Sequence, residues 1–156
     1  MSRRYSSTGA AMAAMVAMAA CAGTIGAGAA QALTLTSLKG QGLDADYGSY
    51  APGGDCGKEP RIAIGDAGLT FHANGQTVKP ARFEHALTYM GQSYDGIGQW
   101  FFPFPINDGD YGPVLMTVNA DEKRGVVTLE ADLAPGKSLA PFQAALVRAS
   151  PFLRCK

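Results

Sequence analysis

Charge and the residues of chemistry are both scarce in this chain of 156 residues. Charged types make up only 17%, with 13 Lys plus Arg set against 13 Asp plus Glu, so the formal net charge is zero. That balance excludes the basic footprint of a nucleic-acid binder and an acidic solvating tail alike. Histidine occurs twice, cysteine three times and tryptophan once. With no His-x-His or His-x-x-x-His spacing, no metal ligand set can be read from the chain. No uninterrupted apolar stretch of about 20 residues is present either, because Gly23, Thr24, Gly26 and Gly28 interrupt the first one. The low charge does not signal disorder, since apolar types reach 47%.

What is present begins with an export pattern. Arg3 and Arg4 precede an Ala, Met and Val run over residues 10–22, and Ala30-Gln31-Ala32 supplies the small-x-small site that a signal peptidase requires. Residues 1–32 are therefore expected to be a cleaved secretory signal, and 33–156 a single β-rich exported domain, periplasmic or secreted. Met18-Ala19-Ala20-Cys21 resembles a lipobox, so the alternative is a lipoprotein anchored through Cys21, the one route to a membrane. Cleavage leaves 124 residues. Arg3 and Arg4 are lost, which leaves 11 basic against 13 acidic residues.

Cys21 is lost as well, so an odd cysteine count becomes the pair Cys56 and Cys155. In an oxidising compartment that pair is expected to form a disulfide. Closing a loop of that length is worth up to about 4.7 kcal/mol in the chain-entropy model.

Gly and Pro recur at short intervals through the rest of the chain, the punctuation of short strands. Alternating segments are expected as strands at 61–64, 69–72, 82–89, 97–104, 114–118 and 126–131, and 33–36 as an N-terminal strand or a ragged leader. Ile62, Ile64, Leu69 and Phe71 should share one buried face, and Phe83, His85, Leu87 and Tyr89 another. Asn74-Gly75 is the strongest turn signal. Segments 114–118 and 126–131 read as a hairpin with a tip at Asp121-Glu122-Lys123-Arg124. One helix is expected, opened by Pro141, carrying Leu139, Phe142 and Leu146 on one stripe and stopped by Ser150-Pro151. The fold class is mainly β: a small antiparallel barrel or sandwich of about seven short strands, one short C-terminal helix and one disulfide.

The chemistry that can be read locally is thin. Gly91-Gln92-Ser93-Tyr94-Asp95 misses the nucleophile elbow because its second glycine comes one place late. Asn107-Asp108-Gly109-Asp110 fails the EF-hand pattern, Asp44-Ala45-Asp46 reads as a turn former, and Gly40-Gln41-Gly42 is half of a dinucleotide fingerprint without its helix. Glu84 and His85 point to opposite faces of a strand and form no local dyad. His85 is expected at the core edge, bonded to a carbonyl. No catalytic residue, metal or cofactor is assigned.

The segment that stands out is Trp100-Phe101-Phe102-Pro103-Phe104-Pro105. Strand alternation puts Trp100, Phe102 and Phe104 on one face, expected in the core, and Phe101 on the other, expected to reach a partner. Tyr94, Tyr111 and Tyr89 are placed to rim such an aromatic edge. The expected function is a non-enzymatic binding or inhibitor-like module whose edge around Trp100 takes an envelope or extracellular protein or a small apolar ligand. The alternatives are an exported hydrolase drawing on His85, His72, Asp108 and Asp110, and a structural envelope protein without a discrete site.

Overall fold

The computed structural model describes residues 32–87, 89–91, 93–106 and 111–156. The proposed signal up to residue 31, with Cys21, and the 107–110 segment lie outside the described residues.

The strands are β1 (Ala32–Leu35), β2 (Gly48–Pro52), β3 (Arg61–Gly65), β4 (Gly68–Ala73), β5 (Gln76–Val78), β6 (Phe83–Ala86), β7 (Gln99–Phe102), β8 (Val114–Val118), β9 (Val126–Ala131) and β10 (Phe152–Arg154). They form one antiparallel sheet in the order β1-β6-β7-β8-β9-β10-β2-β3-β4-β5, curled into a half-barrel. Among the described residues there is one α-helix, α1 (Pro141–Ala149), which packs against β9 and β4. Among the described residues the fold is thus mainly β with one short helix and one disulfide, but with ten strands, not about seven.

The three strands that pattern did not reveal are β2, β5 and β10, of five, three and three residues. β10 matters most, because it pairs with β9 on one side and β2 on the other. It joins the sheet half built from β2–β5 to the half built from β1 and β6–β9. Phe152 on this seam is fully buried. Immediately beyond it, Cys155 N–H donates to the Ser49 carbonyl at 2.8 Å. Cys155 is bonded to Cys56 with a Cα–Cα distance of 5.8 Å, so the staple clamps the central seam.

Local chemistry explains the hairpins. Asn74 and Gly75, at φ 53° and 71°, make the two-residue turn between β4 and β5, where Ala73 faces Gln76. Both residue types tolerate left-handed backbone, which matches the twist of the flanking strands. Ile62 faces Phe71 and Ile64 faces Leu69, and all four are buried. Helix α1 opens at Pro141, whose missing N–H costs nothing in a first turn. Its Leu146 is fully buried, with Leu139 and Phe142 packed against the same core.

Candidate functional site

Strands β6 to β9 present two faces. On the inner one, His85 faces Phe101 across β6 and β7, Phe101 faces Met116, and Met116 faces Leu129. On the outer one, Glu84 faces Phe102, Leu115 faces Glu130, Trp100 faces Thr117 and Thr117 faces Thr128. The alternation of Trp100, Phe101 and Phe102 is as expected from strand geometry, but its direction is reversed. Phe101 lies in the main core, 1% exposed, with its ring edge-on to Phe83 and stacked on His85. The side chain expected to be the most outward of the run is its most central.

Trp100 and Phe102 lie instead on the outer face, in a small second cluster with Ala86 and Leu115. Phe102 is buried there, stacked on Tyr111 with ring centroids 4.2 Å apart. Trp100 is only half-buried. Phe104 leaves the strand pattern altogether, because β7 ends at Phe102 and Pro103 follows. It returns to the main core, between Phe71 at 5.0 Å and Phe142 at 6.3 Å. Strand β6 likewise ends at Ala86, which releases Leu87 and Tyr89 from the face of Phe83; both are exposed.

The chain between β6 and β7 then folds over Trp100. Tyr89 stacks on the indole at 5.7 Å with an interplanar angle of 20°, and Tyr94 meets it edge-on at 5.0 Å. The Tyr94 hydroxyl donates to one Glu122 carboxylate oxygen and accepts from Gly98 N–H at 2.6 Å. The second Glu122 oxygen accepts from Ile97 N–H at 2.7 Å. Gly98 is required by close approach: a Cβ there would sit 2.8 Å from the Tyr94 oxygen and 3.0 Å from the indole. Glu122 is offered by the β8–β9 tip, whose Asn119, Asp121 and Glu122 all have left-handed backbone, at φ 56°, 53° and 59°. Asn and Asp tolerate this conformation, whereas for Glu122 it is uncommon and needs support from its surroundings. Hydrogen bonds from Tyr94 and Ile97 hold the Glu122 carboxyl below the usual carboxylate range. Burial, and the bond to that carboxylate, push the Tyr94 phenol up.

Beside Trp100 runs a groove of ≈ 420 Å³ that reaches from Met90 to Glu122 and Glu130. Met90 is 61% exposed, a large apolar side chain left at the rim. Of the six residues expected at the aromatic edge, Trp100, Phe102, Tyr94 and Tyr111 meet on the outer face, while Phe101 and Phe104 belong to the core. Met90, Glu122 and Glu130 were not singled out by sequence reasoning. Only the outward phase of β9 and the β8–β9 hairpin could have pointed to Glu130.

Each histidine pairs with a neutral side chain. His85 is buried and its Nε2 pairs with the Gln99 side-chain oxygen at 2.8 Å, a side-chain amide taking the place of the expected carbonyl. Burial lowers its pKa and the Gln99 bond opposes that shift. His72 pairs through Nδ1 with Thr77 at 2.9 Å. The two histidines stand on β6 and β4, near opposite ends of the strand order. Ser93 is exposed, and Asp108 and Asp110 lie outside the described residues. Among the described residues no group of three or more His, Cys, Asp or Glu side chains is arranged to hold a metal ion, and no helix is long and apolar enough to cross a membrane. No family model matches the chain, and neither a curated protein nor a solved structure matches it.

Proposed function

We propose that the chain is an exported binding module, periplasmic or secreted, that takes a partner protein on the outer aromatic patch centred on Trp100. One observation carries this reading: the only tryptophan stands outside the main core, half-buried, under a stacked Tyr89 and beside the exposed Met90. A small domain short of core area gains most by burying its largest aromatic. Here the core closes around Phe101, Phe83, Phe71 and Phe152 without it. Aromatic side chains held at a surface with a polar rim are the usual anchors of protein interfaces.

Export is supported by the Ala30-Gln31-Ala32 pattern and by the Cys56–Cys155 bond, which suits an oxidising compartment.

Capture from envelope extract tests the reading. Immobilised mature protein should retain a partner that Trp100→Ala and Tyr89→Ala fail to retain, while both variants keep the parent far-UV circular dichroism. Equal capture by folded variants would overturn it.

A further inference from the structure

We infer that the groove beside Trp100 takes a basic side chain, a lysine or arginine carried on an extended segment of a partner polypeptide; this rests on the binding reading above. The groove joins the indole of Trp100 and the thioether of Met90 to three carboxylates, Asp121, Glu122 and Glu130, and among the described residues no lysine or arginine lines it. Lys123 lies 3.8 Å from Asp121 and offsets that charge. Glu122 takes hydrogen bonds from neutral donors, the Tyr94 hydroxyl and the Ile97 and Gly98 N–H groups, which favour its ionised form without cancelling its charge. Glu130 is exposed on β9, two residues from Thr128 on the same outward face.

Two independent terms therefore favour a cation at this place. Carboxylates attract it, and aromatic rings attract it through their quadrupole. An anionic group would meet repulsion from Glu122 and Glu130. A neutral apolar group would gain from Trp100 and Met90 but would waste the acidic side of the groove. A basic side chain uses both parts, because its alkyl stem packs on the indole and thioether while its charged head reaches the carboxylates. A polypeptide is favoured over a small free cation because the apolar surface continues beyond the groove. Leu87 and Tyr89 stand exposed beside Met90, at 54% and 46%, and offer contacts to residues flanking the basic one.

The test uses the mature protein and the emission of Trp100, its only tryptophan. The probes are short synthetic peptides alternating Lys with Ala, Glu with Ala and Ser with Ala, and butylammonium as the free cation. The Lys peptide should change the emission and bind more tightly than the other three, and added salt should weaken it. Glu130→Gln, which leaves an exposed position able to fold normally, should weaken it about two- to fivefold, the range for a partly exposed charge pair. Equal binding of Lys and Ser peptides, or no binding of any peptide, overturns the basic partner. So does unchanged affinity in Glu130→Gln and Glu122→Gln. Butylammonium binding as tightly as the peptide overturns the polypeptide. If the basic partner fails while captured envelope protein still shields Trp100, the binding patch stands and only its charge preference falls. Loss of both removes the patch as well.

Discussion

Strands β6 to β9 carry two faces of unlike character. Inward they place Phe83, His85, Phe101, Met116 and Leu129, all buried and continuous with the core under α1. Outward they place Glu84, Ala86, Phe102, Leu115 and the half-buried Trp100, a cluster too small to organise a fold. The outer face also buries a carboxylate: Glu84 is fully covered, and its oxygens lie 2.8 and 2.9 Å from the Thr34 hydroxyl. The same strands thus face the main core on one side and, on the other, a small covered cluster from which only Trp100 is half-exposed, the place proposed above for a partner.

That division predicts an order of effects. Phe101→Ala should cost about 3–5 kcal/mol, through lost transfer energy and a cavity, and should not alter capture by the fraction that remains folded. Urea unfolding measures it, and a cost under about 1 kcal/mol would break the distinction between the faces. Cys155→Ser belongs to neither face and calibrates the scale. Losing the staple on the β10 seam should cost about 2–5 kcal/mol with capture intact, and the unreduced, unfolded parent should show no free thiol on titration.

Trp100→Ala should cost less than either, about 1–2 kcal/mol for a half-buried aromatic, and should abolish capture. A cost matching that of Phe101→Ala would place Trp100 in the folding core.

The smallest effect concerns pH and sharpens the inner face. Burial lowers the His85 pKa in the folded state below its ordinary 6.5. The unfolded chain therefore binds the proton first, so the contribution of His85 is fully present above about pH 6.5 and is lost as pH falls through that value toward the folded pKa. Urea midpoints at pH 7.5 and 5.5 should differ more in the parent than in His85→Gln, whose side chain does not titrate there.

Much of this was legible in the sequence because period-two alternation and turn chemistry are local. Ile62, Ile64, Leu69 and Phe71 share a face, Asn74-Gly75 turns, and Pro141 opens the helix, each for a reason contained within a few residues. Strands β5 and β10 were not legible because each has only three residues, and β2 because glycine and proline at its two ends read as turn residues. Alternation separates Trp100 from Phe101 but does not say which side is inner. That side is set by the partner strands, where His85 and Met116 flank Phe101. Phe104 escaped the pattern because Pro103 ends the strand and lets the chain turn back toward Phe71. The groove joins the β6–β7 connection to the β8–β9 tip, and the Tyr94–Glu122 bond that links them spans 28 residues. No local pattern encodes such a meeting.

Acrylamide quenching of Trp100 tests the central claim most directly, since no other tryptophan contributes. The folded, free protein should show emission that acrylamide quenches, and the complex with its captured partner should be protected. Emission that resists quenching in the free protein would place Trp100 in the core, and emission quenched equally in the complex would place the partner elsewhere; either result contradicts a binding surface centred on Trp100.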